Sequence, residues 1–133
     1  MSTDKMQMRL TLMVERAAQV NGKGLATDFA GRRHSWAQLA DRVARLAGGL
    51  RSLGVKDGDR VAILALNSDR YLEFLFAVPW AGAVFVPVNT RLAPPEIAYW
   101  LNDSGSEFLF VDDTFVPMLE ALDGKMASVR QVV

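Results

Sequence analysis

The stretch GDRVAILALNSDRYLEFLFAVPWAGAVFVPVN, residues 58 to 89, decides the fold. Val61 to Leu66 is an apolar run too short for most helices and free of Gly and Pro, which reads as a buried strand. Asn67-Ser68-Asp69 then opens a second run. In it Tyr71, Leu72, Leu75, Phe76 and Val78 recur at helical spacing until Gly82 stops it. Val84 to Val88 reads as another strand, so the whole is a strand, a crossover helix and a strand. Both strands are apolar nearly throughout, as expected where helices cover both faces of a parallel sheet.

Working toward the N-terminus, Lys56-Asp57-Gly58-Asp59 is turn chemistry that feeds the first strand. Before it, Trp36, Leu39, Val43, Leu46, Leu50 and Leu53 alternate by threes and fours, the apolar stripe of an amphipathic helix. Ser35 and Gln38 fit a capping box at its start. Gly54 is placed to be its left-handed terminator, with Val55 folding back beyond it. Leu25 to Phe29 and Arg33 to Trp36, around Ala30-Gly31-Arg32, suggest a small hairpin. Met8 to Val20 is expected as an opening helix with Leu10, Met13, Val14, Ala17 and Ala18 on one side, closed by Asn21-Gly22-Lys23-Gly24. Four of the six methionines lie within the first thirteen residues; flexible core filling is the plain explanation, a methionine-lined partner surface the sharper one.

Toward the C-terminus, Pro94 and Pro95 suit a first helical turn, where a missing amide hydrogen costs little. Glu96 favours the same positive end. Ile97, Trp100 and Leu101 are expected to supply the buried face, and Ser104-Gly105 the stop. Phe108 to Val111 is a third strand. Asp112-Asp113-Thr114 is expected to cap a helix over Phe115 to Leu122, and Val129 to Val133 to form a fourth strand. The expected architecture is α/β: an open, mostly parallel, doubly wound sheet with helices on both faces. Residues 1–133 make a single partial domain, with helices and short strands over 1–57 and a βαβ core over 58–133. A chain that stops on an apolar strand leaves a sheet edge open to self-association.

Composition narrows the function classes. Fifteen Lys plus Arg balance fifteen Asp plus Glu, so no net field favours nucleic acid or anionic membrane. The 133 residues hold no cysteine and one histidine, which removes disulfides, thiolate chemistry and multi-histidine metal sites. Asp4, Lys5, Arg9, Glu15 and Arg16 leave no signal-peptide core. The uncharged stretch from Phe74 to Thr90 is broken by Pro79, Gly82 and Pro87, and fits the βαβ pattern better than a transmembrane helix. A cytoplasmic chain is expected.

A series of segments resembles the N-terminal part of the adenylate-forming enzymes, the superfamily of acyl-CoA synthetases, luciferases and peptide-synthetase adenylation domains. These are His34-Ser35-Trp36-Ala37-Gln38-Leu39, then Leu53 through Ile63, Asn67, Gly82 through Leu92, Glu96 and Asp103-Ser104-Gly105. The wording Pro87-Val88-Asn89-Thr90-Arg91-Leu92 is most similar to the fatty-acid and aryl-acid CoA ligases. The resemblance implies a parent enzyme that joins a carboxylic acid to ATP, giving an acyl-adenylate and pyrophosphate, and then forms the CoA thioester and releases AMP. It implies ATP, Mg and CoA for that parent. The family's phosphate loop and catalytic lysine lie later and match no position here. The chain is therefore expected to be the first part of such an enzyme, inactive alone and binding none of the three tightly, with the remainder of its own polypeptide as partner.

The residues themselves offer little chemistry. Gly49 and Gly54 have phosphate-loop spacing, but Val55 stands where the lysine belongs. Gly22 and Gly24 fail the dinucleotide fingerprint because Thr27 replaces the third glycine. His34 has no adjacent nucleophile or carboxylate and is expected to be exposed or capping beside the helix start. Asp112-Asp113 following a strand suits either magnesium or a cap. Asn89 to Leu92 follows the carboxyl end of a strand, the side where open α/β sheets place ligands. There Arg91 suits a CoA phosphate, against the plainer readings of a solvated side chain or a pair with Glu96. A complete response-regulator-type module is the alternative, but its lysine would have to be Lys125 and its acidic cluster comes too late in the chain.

Overall fold

A computed structural model describes residues 9–133. Helix α1 (Thr11–Asn21) leads to the antiparallel hairpin β1 (Leu25–Phe29) and β2 (Arg32–Ser35). Helix α2 (Trp36–Ser52) follows, then β3 (Arg60–Leu64), α3 (Asp69–Trp80) and β4 (Val84–Pro87). The rest is α4 (Pro94–Ser104), β5 (Phe108–Val111), α5 (Met118–Leu122) and β6 (Gln131–Val132). The last four strands form one fully parallel sheet in the order β4-β3-β5-β6, with Val61 opposite both Phe85 and Phe108. The expected strand, helix and strand over residues 58–89 is therefore present, and its first strand is central.

Alternation along β3 and β5 divides the core into two layers. Val61, Ile63, Phe108 and Phe110 pack with α1, α2 and α3 through Val14, Leu39, Val43, Leu50, Ala77 and Val78. Ala62, Leu64 and Leu109 face the other way onto Ile97, Ala98 and Leu101 of α4 and Leu122 of α5. Residues before and after position 57 thus share one core.

The local signals explain how these elements end. Ser35 Oγ accepts from the Gln38 amide at 3.2 Å while Gln38 Oε1 accepts from the Ser35 amide at 2.8 Å, a complete capping box. At the far end Gly54, at φ +99°, lets the Val55 amide reach the Leu50 carbonyl at 3.1 Å and its own amide reach Arg51 at 3.0 Å. That is a Schellman closure, with Val55 buried beneath it. Gly82 at φ +84° repeats it after α3, its amide on Pro79 and that of Ala83 on Val78.

Several expectations are corrected. The expected opening residue of α1, Met8, lies outside the described residues, as do Met1 and Met6. Of the side expected to be buried in α1, only Val14 is; Thr11 joins it, while Leu10 and Met13 face solvent, Met13 at 65% exposure. Met13 therefore does not fill a core gap. β4 has Phe85 and Val86 half-buried against the layers on opposite faces of the sheet, but it is an edge strand with Val84 exposed, which is why Pro87 is tolerated at its end. In α4 the buried face is Ile97, Ala98 and Leu101, and Trp100 is 44% exposed. At about 100° per residue Trp100 lies about 60° behind Ile97, whereas Leu101 and Ala98 lie ahead of it. α5 begins at Met118 rather than Phe115. Val116 precedes Pro117, whose ring disfavours helical backbone before it, so residues 112–117 close as successive tight turns instead.

The largest correction concerns α3. Its fully buried residues are Asp69, Glu73, Ala77 and Val78, not the expected Tyr71, Leu72, Leu75, Phe76 and Val78, of which only Val78 is fully buried. The two carboxylates lie one turn apart on the side that meets the hairpin and α2. Arg32 of β2 donates to Asp69 through Nε at 3.0 Å and Nη2 at 2.7 Å. Arg42 of α2 grips Glu73 through Nε at 2.5 Å and Nη2 at 3.1 Å. A planar guanidinium meeting a carboxylate at two points is the arrangement that makes a buried acid tolerable.

Candidate functional site

Strand order locates the site. Leaving β3 the chain turns to α3 on one face of the sheet; leaving the neighbouring β5 it turns to α5 on the other. Where adjacent strands send their chains to opposite faces, a crevice opens at their carboxyl ends. Here it is a cavity of about 370 Å³, floored by Ile63, Ala65, Phe74 and Phe110, with Ser68, Arg70 and Asp112 among its polar lining. The Phe74 and Phe110 rings stack at a tilt, 4.8 Å between centroids.

Two of the polar residues at this mouth, Ser68 and Asp112, are engaged by backbone amides. Ser68 Oγ accepts from the Tyr71 amide at 3.1 Å and caps α3. Asp112 Oδ2 accepts from the Leu66 amide at 2.8 Å, and its Oδ1 from Thr114 at 3.0 Å. Asp112 therefore ties the loop after β3 to the loop after β5 rather than capping a helix. Arg70, exposed on α3, makes no ion pair among the described residues. Burial raises the Tyr71 hydroxyl pKa above its usual value, so Tyr71 stays a neutral wall.

Arg91 stands apart from this crevice, on the loop after the edge strand β4. Asn89 Oδ1 accepts from the Arg91 amide at 3.0 Å, which shapes the turn. Glu96 accepts from the Ala93 amide at 2.7 Å instead of pairing with Arg91, whose side chain is exposed without an ion pair among the described residues. The loop beside it leads to a second cavity, about 400 Å³, lined by Leu92, Pro95, Glu96, Tyr99 and Trp100. His34 lies within β2 opposite Thr27, half-buried, with Nδ1 3.4 Å from Thr27 Oγ1. It neither caps α2 nor meets a catalytic partner.

The groups an adenylating enzyme uses can be tested against these residues. Among the described residues no three His, Cys, Asp or Glu converge as metal ligands. Both oxygens of Asp112 already accept backbone hydrogens, and the sequence contains no phosphate-loop pattern of spaced glycines followed by Lys and Ser or Thr to cradle a triphosphate. The residues present do not fit ATP or magnesium; the Arg91 loop offers a cation without an ion pair among the described residues for one phosphate. The response-regulator alternative is set aside with the same observations, since Lys125 lies in a turn after α5 and no acidic cluster forms among the described residues.

Nothing in the spacing alone marked the crevice, because its walls come from strands 40 or more positions apart; the switch-point rule would have found it once β5 was placed beside β3. The class defined so far is a doubly wound α/β domain with an apolar crevice at the carboxyl end of its sheet. Residues 14–133 match the family model described as AMP-binding enzyme, and the chain belongs to that family.

A long-chain-fatty-acid–CoA ligase of Thermus thermophilus is 46% identical over 101 residues, 76% of this chain and 19% of the relative. A feruloyl-CoA synthase of an Amycolatopsis species is 50% identical over 94 residues, 71% of this chain and again 19% of the relative. Among solved structures, the N-terminal domain of FACL13 from Mycobacterium tuberculosis superposes with TM-score 0.90 at 30% identity, covering 95% of this chain and 33% of that one. The chain thus spans about a fifth of the curated relatives' length. No helix among the described residues is long and apolar enough to cross a membrane.

Proposed function

We propose that these 133 residues form a single partial domain, the first sheet-building part of the large domain of an AMP-forming carboxylic acid–CoA ligase. The observation that carries this is the family match running from residue 14 to residue 133, joined to relatives that include a long-chain-fatty-acid–CoA ligase and a feruloyl-CoA synthase. In that parent, a carboxylate attacks the α-phosphorus of ATP to give the acyl-adenylate and pyrophosphate. The CoA thiolate then attacks the acyl carbon, forming the thioester and expelling AMP. ATP, magnesium, CoA and the acid are the parent's ligands, and its place is the cytoplasm, where ATP and CoA are held.

Within this chain the part played is positional. β3 and β5 supply the rigid centre, and the loops at their carboxyl ends and at that of β4 face the reacting groups. Arg91 is the residue to meet the CoA nucleotide, because a guanidinium takes two phosphate oxygens at once and this one is committed to no acid. In the full-length polypeptide Arg91→Ala is expected to raise the apparent KM for CoA about tenfold and to leave acid-dependent ATP–pyrophosphate exchange unchanged. An unaltered thioesterification rate at limiting CoA removes Arg91 from the site. Absence of any acid-dependent exchange in the wild-type polypeptide overturns the ligase assignment itself.

A further inference from the structure

Beside the crevice, and sharing Arg70 and Phe74 with it, α2 and α3 turn a basic groove of about 320 Å³ to solvent. Arg42, Arg45 and Leu46 line it from α2, and Arg70, Glu73 and Phe74 from α3. Three cations thus face one acid, on a chain whose charges balance overall. We propose that this groove is a binding site for a phosphate monoester. Its dianionic head lies between Arg45 and Arg70, and its ester group rests on Leu46 and Phe74.

The two helices build the site. Residues three and four apart share a helix face, so Arg42, Arg45 and Leu46 stand together, as do Arg70, Glu73 and Phe74. Leu46 and Phe74 are half-buried against the core beneath. Arg42 Nη2 donates to Glu73 at 3.1 Å, and the Glu73 side chain is only 6% exposed. Floor and back wall are therefore set before a ligand arrives.

Charge decides which groups remain for an anion. Glu73 is taken by Arg42, and Asp69, next to Arg70 in the chain, is taken by Arg32. Asp41 pairs with Arg45 at 2.9 Å, but both side chains are well exposed, so exchanging that pair for a ligand costs little. Arg70 makes no ion pair among the described residues. The groove thus offers one guanidinium from each helix. A carboxylate turns two oxygens in one plane to a single guanidinium, whereas a phosphate head of about −1.5 to −2 charges at pH 7 turns three oxygens to several sides. Guanidinium groups on two facing helices suit the second. The carbon floor suits an ester group that leaves water on binding.

Arginine-selective labelling of the full-length polypeptide with phenylglyoxal, read peptide by peptide at constant ionic strength, tests this. Phenyl phosphate is the probe, and Arg16, exposed on α1, is the reference. Saturating phenyl phosphate is expected to slow labelling of Arg45 and Arg70 about tenfold and to leave Arg16 unchanged. Arg70→Ala, read at Arg45, and Arg45→Ala, read at Arg70, are each expected to raise the half-protecting concentration about tenfold, the loss of one charge-assisted contact. Arg45→Ala carries the test if Arg70→Ala does not fold. Vesicles carrying phosphatidic acid, a phosphate monoester on a lipid, identify the source of the ligand: protection by phenyl phosphate marks a soluble one, protection by the vesicles alone a membrane one. Protection by neither overturns the proposal. So does equal protection by benzoate, which would show a general attraction for anions. Acid-dependent ATP–pyrophosphate exchange is scored separately, so an inactive polypeptide with a protected groove counts against the ligase assignment alone.

Discussion

Asp69 and Glu73 sit one turn apart on α3 with side chains almost wholly buried, and each depends on one arginine. Hydrogen bonding from Arg32 holds the Asp69 carboxyl below its ordinary value of 3.8, against the opposing effect of burial. The Arg32 and Arg42 guanidinium pKa values are raised in turn, first by their hydrogen bonds to these acids. The sign of the linkage follows: a depressed carboxyl stabilises the fold fully above its unfolded value and loses that contribution as pH falls through the folded one. Urea midpoints are therefore expected to fall as pH drops from about 5 to about 3, and Asp69→Asn to flatten that dependence. A wild-type slope retained in the variant would assign acid sensitivity to other groups.

At the same scale, Arg32→Ala leaves a carboxylate at 1% exposure without its partner. A fully buried pair broken this way costs about 3–5 kcal/mol. Because Arg32 is 47% exposed, water screens part of the interaction, and the variant is expected to unfold at a lower urea midpoint than the wild type. An unchanged midpoint would show that Arg32 does not hold α3 to the hairpin.

Elements here are specified mostly by how they end. Gly54 and Gly82 both occupy the left-handed region, at φ +99° and +84°, where a Cβ costs about 1–2 kcal/mol. A Cβ on Gly54 meets open space, but one on Gly82 runs into the Asp57 carboxylate, which is held by Arg51 at 2.9 Å. Gly82→Ala is thus expected to destabilise by more than Gly54→Ala, the difference being the surrender of an exposed ion pair, under about 1 kcal/mol. Paired thermal melts give the ranking, and a reversed order contradicts the cap geometry. These closures were legible from sequence because capping is local: Ser35 and Gln38, or Gly54 and Val55, need only one another. The faces of α3 and α4 were not. Tyr71, Leu72 and Leu75 have the spacing of a core stripe, but Arg32 and Arg42 arrive from other elements and make the acidic side the buried one.

For the whole molecule the family match and the residue chemistry point the same way. Under the proposed assignment the chain supplies scaffold, with Arg91 as its candidate CoA phosphate contact and no phosphate loop. The isolated 133-residue chain is accordingly expected to show no carboxylate-dependent ATP–pyrophosphate exchange. Exchange above the no-acid background would mean that an unrecognised nucleotide site exists within it.

By itself the sequence determined the class of fold, the order of helices and strands, the caps that bound α2 and α3, and the absence of a phosphate loop. Each depends on residues close together in the chain, whose periodicity and backbone preferences act before any packing occurs. It also pointed to the right family, through the ordered series of segments from His34 to Gly105. Only the tertiary structure decided that β5 lies beside β3, that two buried carboxylates are gripped by arginines 31 and 37 positions away, and that an apolar crevice opens at the switch point. Those features join residues distant in sequence, and a burial pattern that long-range ion pairs can override is fixed only when the partners meet.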